Sequence, residues 1–298
     1  MFTGMIAFPL TPLREDSIDE DAYRRIISRL AAAGVDAIGA LGSTGSYAYL
    51  DREERRQVAI ATVEEAGEVP AIVGIGATRT SHVQALAEDA QEAGADAVLL
   101  APVSYQALTG DDVFALYERV TAGLSVPLVV YDNPGTTHFT FSTDLYARIA
   151  ALPNVAAIKI PPPPADEVAG RIATIRAAVP EHIRIGISGD NRAAAAMNAG
   201  ADSWFSVIGG TLPQPALEIT RAALAGDAAL AEVESARLQP LWDLFGAHGS
   251  YRVTAALAEH LGLVPQRSLP HPILGLGDAD RARLGDVIDE LDLGTRIR

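Results

Sequence analysis

The chain has 298 residues, of which 49% are apolar and 20% charged, with a net charge of −15 and no cysteine. That length suits two average domains or one large barrel, and the apolar share is ample for a full core. The acidic balance argues against nucleic acid or an anionic membrane surface as partner, and the lack of cysteine excludes a disulfide framework, a thiolate nucleophile and a zinc ribbon.

Taken in chain order, short apolar runs alternate with segments of helical period. Strands are predicted at residues 4–8, 37–41, 71–75, 97–100, 128–131, 156–159, 183–187 and 203–206. Helices are predicted at 20–33, 52–66, 82–93, 111–122, 143–151, 165–178, 192–199 and 214–225. Near-continuous apolar strands joined by helices imply a parallel sheet covered on its outer face. A junction recurs as Gly34-Val35-Asp36, Gly94-Ala95-Asp96 and Gly200-Ala201-Asp202. Each time a helix ends in Gly, which tolerates the left-handed conformation past a helix end, and a buried strand follows. Eight such units fit an α/β fold, a (β/α)8 TIM barrel of the usual ~250 residues. A doubly wound sheet is the competing architecture, but no GxGxxG follows the first strand.

From Asp227 the strands stop, and helices are predicted at 228–245, 251–261 and 278–291. The expected organisation is a catalytic barrel at 1–225 and a helical extension at 226–298. The run Pro161–Pro164 reads as a stiff loop after the sixth strand. Gly and Pro interrupt every apolar stretch long enough to approach a bilayer span. The N-terminus shows no basic region followed by an apolar one. A cytoplasmic protein without a membrane partner is the expectation.

In this fold the chemistry lies at the carboxyl ends of the strands. Those ends read Gly42-Ser43-Thr44-Gly45-Ser46, Pro102-Val103-Ser104-Tyr105, Tyr131-Asp132-Asn133-Pro134-Gly135, Lys159, Ser188-Gly189-Asp190 and Ser206. Each has a plain structural reading beside a chemical one. Ser43-Thr44 is either a helix-capping loop or a turn whose hydroxyls and N–H groups hold a carboxylate. Tyr131 is either a strand-end aromatic with its hydroxyl in water or a proton relay. Asp190 reads as the N-cap of the 192–199 helix. The six histidines are scattered without an HxH or HExxH pair, so neither a metal nor any other cofactor is expected.

Lys159 is the only lysine; the remaining 22 basic residues are arginines. It ends the apolar run Val155-Ala156-Ala157-Ile158. Arginine stays protonated in proteins, whereas a desolvated lysine can lose its proton and attack a carbonyl. A chance survivor at the core edge and a Schiff-base lysine are both compatible with that position.

The four segments Gly42-Ser43-Thr44-Gly45, Tyr131-Asp132-Asn133-Pro134-Gly135, Ile158-Lys159 and Ser188-Gly189-Asp190 stand in the order and spacing of one superfamily. Over nearly its whole length the chain resembles the dihydrodipicolinate synthase / N-acetylneuraminate lyase family of class I pyruvate-dependent aldolases. The resemblance implies a metal-free lyase or synthase that acts on pyruvate or another 2-keto acid. Lys159 would form the imine, Tyr131 would relay protons and Ser43 would assist it. Thr44 and Gly42 would hold the keto-acid carboxylate. Phe205 would lie against the lysine from strand eight. Tyr105, Thr136 and Ser188 are the remaining expected substrate contacts. A homo-oligomer, dimer or tetramer, is also implied.

The chain departs from the family pattern at Ser46, where Glu is usual, and at Thr136, where dihydrodipicolinate synthases carry Arg. It departs again at Ser104-Tyr105, near a tyrosine that crosses to the neighbouring subunit, and at Ile160 to Pro163. These departures leave the Schiff-base half intact and fall on the side of the second substrate. Authentic 4-hydroxy-tetrahydrodipicolinate synthase and a non-catalytic keto-acid-binding protein stand as alternatives.

Overall fold

The computed structural model describes residues 1–294; the last four residues of the expected 226–298 extension lie outside them. Strand β1 (Gly4–Ala7) leads into a small hairpin, β2 (Leu13–Arg14) and β3 (Ser17–Ile18). Helices and strands then alternate as α1 (Glu20–Ala33), β4 (Ala37–Ala40), α2 (Arg52–Ala66), β5 (Ala71–Gly74), α3 (Thr80–Glu92), β6 (Ala97–Leu100) and α4 (Gly110–Thr121). The series continues through β7 (Leu128–Tyr131), α5 (Pro134–Thr137), α6 (Thr143–Ala150), β8 (Val155–Ile160), α7 (Val168–Ala178), β9 (Arg184–Ile187), α8 (Ala193–Asn198), β10 (Ser203–Ser206) and α9 (Pro213–Leu224). The described chain closes with α10 (Ala228–Arg237), α11 (Gln239–His248), α12 (Ser250–His260) and α13 (Asp278–Glu290).

Strands β1 and β4 to β10 pair in parallel and close on themselves, in the order β1-β10-β9-β8-β7-β6-β5-β4. The fold is the (β/α)8 TIM barrel that the strand–helix alternation predicts. Three elements differ from the sequence reading. The hairpin at 13–18 and the short helix α5 have no counterpart in it. The single helix expected at 228–245 breaks at Leu238, with Pro240 in the first turn of α11. Proline has no N–H to continue the α10 ladder and fits a first turn instead. The corner is held by Trp242, whose indole N–H donates to the Ser235 carbonyl at 2.9 Å.

Local chemistry explains the helix ends. Asp19 caps α1, Asp51 and Glu54 form a capping box on α2, and Thr109 and Asp112 form one on α4. Gly34 follows α1 at φ 73°, as the left-handed position requires. The aspartates of the repeated Gly-x-Asp junctions share one task. Asp36 accepts the Met5 N–H at 2.7 Å, Asp96 that of Ala71 at 2.8 Å and Asp202 that of Ile185 at 2.8 Å. Each carboxylate thus ties the strand it precedes to the neighbouring strand at the amino end of the barrel. Arg221 pairs with Asp36 at 2.7 Å, and Arg176 and Arg184 pair with Asp202 at 2.5 and 3.1 Å.

Most of the core lies between the sheet and the helices. A second cluster fills the barrel and includes Ile6, Phe8, Ile72, Leu99, Val129, Tyr131 and Phe205. Two large rings fit there because glycines face them. A Cβ on Gly39 would stand 2.5 Å from the Phe8 ring, and one on Gly186 would stand 2.1 Å from the Phe205 ring.

Candidate active site

Lys159 lies on β8 in register with Tyr131 of β7 and Gly186 of β9, near the carboxyl end of the barrel. The residue is 5% exposed. Its Nζ stands 3.8 Å from the Tyr131 ring centroid, 5.3 Å from that of Phe8 and 5.9 Å from that of Phe205. No ion pair among the described residues includes it. The amine therefore sits in an aromatic cage without a carboxylate partner. The register explains the contact with Tyr131: paired residues of adjacent strands point to the same side of the sheet.

The turn after β4 brings in Ser43 and Thr44. Leu41 and Ser46 bracket it at φ 55° and 60°. Non-glycine residues in that region cost about 1–3 kcal/mol each and persist where their surroundings hold them. Ser46 is held by a hydrogen bond of 2.6 Å between its Oγ and the Tyr251 hydroxyl of α12. Ser43 Oγ lies 3.1 Å from the Tyr131 hydroxyl. Asn133 Nδ2 donates to that hydroxyl at 2.9 Å and to Ser43 Oγ at 3.1 Å. The three groups form a closed triangle. The amide supplies two hydrogens and the Ser43–Tyr131 contact uses one hydroxyl hydrogen. One hydroxyl hydrogen is left to point into the cavity.

That cavity has a volume of about 430 Å³, in the size range of small-molecule sites. Ser43, Thr44, Tyr131, Thr136, Lys159, Ser188 and Phe205 of the predicted set line it, and so do Asn133 and Asn191. Two predicted residues stand elsewhere. Gly42 packs beneath the Phe8 ring, which would come within 2.4 Å of an added Cβ, and it is not part of the lining. Tyr105 is 95% exposed on the surface and is not part of the lining either. Ser188 lines the cavity, but its hydroxyl donates to the Ile160 carbonyl at 2.8 Å, which joins the ends of β8 and β9.

Asp190 does not cap α8, contrary to the sequence reading. Its buried carboxylate accepts the Trp204 indole N–H at 2.9 Å and the backbone N–H groups of Val207 and Ile208 at 3.1 and 2.8 Å. It ties the end of β9 to the turn after β10. Burial raises its pKa against the pull of these hydrogen bonds. Asp132, next to Tyr131, faces outward and accepts a short hydrogen bond from the Tyr146 hydroxyl. Burial pushes its carboxyl up to about 6, against the Tyr146 hydrogen bond and the charges of Arg171 and Lys159. Its backbone N–H donates to the Lys159 carbonyl at 3.0 Å.

Four aromatic side chains outside the sequence expectations also line the cavity: Phe8 from just past β1, and Trp242, Phe245 and Tyr251 from α11 and α12. Phe8 is the last residue of the first predicted strand, at the barrel end that holds the site, and that gives a weak sequence signal. The three helical residues give none, because ordinary helix periodicity does not say which barrel end a helix will cover. Among the described residues no three His, Asp or Glu side chains converge as a metal site requires. No described helix is long and apolar enough to cross a membrane. A buried amine next to hydroxyls with an unengaged hydrogen is suited to imine formation and proton transfer at a carbonyl.

Comparison with known proteins gives one consistent result. Residues 1–291 match the model of the dihydrodipicolinate synthetase family. A 4-hydroxy-tetrahydrodipicolinate synthase of Methylococcus capsulatus is 34% identical over 272 residues, covering 89% of this chain and 91% of its own. The crystal structure of dihydrodipicolinate synthase from Agrobacterium tumefaciens superposes with a TM-score of 0.95 at 46% identity, covering 97% of this chain and 98% of the other. The chloride-inhibited dihydrodipicolinate synthase of Acinetobacter baumannii, solved in complex with pyruvate, gives a TM-score of 0.89 at 25% identity, covering 98% of this chain and 100% of the other.

Proposed function

The chain belongs to the dihydrodipicolinate synthetase family, and on that basis we propose that it is a Schiff-base lyase or synthase acting on pyruvate or a related 2-keto acid through Lys159. The observation that carries this reading is the Lys159 amine. It is caged by Phe8, Tyr131 and Phe205 and stands in the same cavity as the triangle of Ser43, Tyr131 and Asn133.

The steps follow from that geometry. The Lys159 amine adds to the keto carbon, and the former keto oxygen leaves as water after taking protons from the Tyr131 side. Ser43 completes the relay with Tyr131, and Thr44 supplies a hydroxyl donor to the keto-acid carboxylate, which fixes the reacting carbon against the amine. The protonated imine is an electron sink. Loss of a proton from the adjacent carbon gives an enamine, which can add to an aldehyde. In the reverse sense a C–C bond beta to the imine breaks, and loss of a hydroxyl group by the same logic is a dehydration. Water then releases the product and restores the amine. No cofactor is called for, because the imine itself stores the electron pair. Asn133 holds the Tyr131 hydroxyl by donating to it, so the phenol keeps one orientation through both proton transfers.

The test is reduction with borohydride in the presence of pyruvate, read by intact mass. The expected adduct adds to the wild-type protein and disappears in Lys159→Ala. Lys159→Arg should also lack it, because guanidinium keeps the charge but not the nucleophile. An undiminished adduct in either variant would overturn the assignment.

We further assign the protein to the cytoplasm as a homo-oligomer, dimer or tetramer, with residues 1–225 as the barrel and 226–298 as the extension that completes the cavity wall. The exposed Tyr105 supports an oligomer, since a tyrosine left 95% exposed is the kind of side chain a subunit interface covers. Light scattering after gel filtration measures the state directly.

A further inference from the structure

The cavity lining combines two chemistries. Beside the polar set Lys159, Ser43, Thr44, Tyr131 and Asn133 stand the apolar and aromatic side chains of Pro162, Trp242, Phe245 and Tyr251. Thr136 and Asn191 add neutral polar groups. Among the lining residues only Lys159 and Asp190 carry charge. The lysine is consumed by the imine. The Asp190 carboxylate is engaged by Trp204, Val207 and Ile208, and its negative charge would repel an anion. Arg192 and Arg252, next in the chain to lining residues, do not line the cavity.

We propose that the compound joined to, or released from, the imine carbon chain is an uncharged aldehyde whose body lies against Trp242, Phe245 and Tyr251. This rests on the Schiff-base reading above and goes beyond it to the second substrate. A carboxylate on that partner would leave water for a lining whose one cation, Lys159, is already taken by the imine, and such burial is unfavourable. An apolar or hydroxylated body meets no such penalty, and aromatic walls bind such bodies through buried area. In the forming direction, the enamine carbon bonds to the aldehyde carbon. The carbonyl electron pair moves to the aldehyde oxygen, and that oxygen takes a proton from the Tyr131 hydroxyl. Water then cleaves the imine, so one keto acid and one aldehyde give one 4-hydroxy-2-keto acid.

The experiment has two stages on the full-length protein. Borohydride trapping with pyruvate first reports the imine alone. Product formation from pyruvate is then measured by mass spectrometry with benzaldehyde and glyceraldehyde as uncharged probes, and with 4-oxobutanoate and aspartate semialdehyde as carboxylated ones. The expected kcat/KM for the better uncharged aldehyde exceeds that of both carboxylated ones by at least about tenfold. In Thr136→Arg, which sets a guanidinium at the rim on an exposed position, the ratio should fall at least about fivefold through gain on the carboxylated probes. Imine trapping with equal or better use of a carboxylated aldehyde overturns the proposal and leaves the Schiff-base reading standing. So does trapping with no product from either uncharged probe, or a ratio that Thr136→Arg leaves unchanged. Failure to trap an imine overturns both.

Discussion

The two ends of the barrel use polar side chains in opposite ways. At the amino end, Asp36, Asp96 and Asp202 each accept a strand N–H, and arginines cover two of them. At the carboxyl end, Lys159 has no ion pair among the described residues, and the Ser43–Tyr131–Asn133 triangle leaves a hydroxyl hydrogen unengaged. The difference teaches where stability and chemistry are located in one scaffold. Saturated polar groups fix strands, and under-saturated ones are left available for a substrate.

Substitutions can break that comparison, and the largest effect is expected at the carboxyl end. Tyr131→Phe keeps the ring over Lys159 but removes the proton relay, so turnover should fall by about 10²–10⁴-fold while the melting temperature stays near wild type. A melting temperature that falls with activity would instead make Tyr131 a structural residue.

Asp132 sharpens the comparison because it is a titrating group hidden behind the site. Its folded pKa of about 6 lies above the ordinary carboxylate value, so the stability it contributes is full below about pH 4 and is lost as pH rises through 6. The difference from the ordinary carboxylate value corresponds to about 3 kcal/mol. Thermal unfolding of Asp132→Asn across pH 4 to 7 should lack that decline, and a wild-type curve matching that of the variant would refute it.

At the amino end, Asp202→Ala should cost about 2 kcal/mol, because it leaves the Ile185 N–H and two arginines without their acceptor. Denaturant unfolding measures the loss, and turnover below the transition should match wild type. The smallest effect is expected for Asn133→Ala, with turnover reduced about tenfold and the KM for pyruvate little changed. A loss confined to KM would mean that Asn133 binds substrate rather than orienting Tyr131.

Much of the barrel was legible in the sequence because its strands are short, apolar and punctuated by Gly-x-Asp junctions. Lys159 was legible for a different reason: a lone lysine among arginines, at the end of an apolar strand, is a chemical anomaly before any fold is known. Asp190 was misread because its neighbours match a local cap pattern, while its true partners lie 14 to 18 residues on. Trp242, Phe245 and Tyr251 were not legible as site residues. On their helices they read as ordinary apolar periodicity, and only docking of α11 and α12 over the barrel mouth turns them toward Lys159.

The hydrogen bond between Ser46 and Tyr251 bears on how this enzyme can be altered. It joins the turn that carries Ser43 and Thr44 to α12, whose Tyr251 also lines the cavity. Substitutions on α12 chosen to admit a new partner would therefore also displace the seat of the keto acid. Their effects will not add to those of changes at Ser43 or Thr44, because residues sharing a network couple. Redesign of specificity here has to treat the β4 turn and α12 as a single mutational unit.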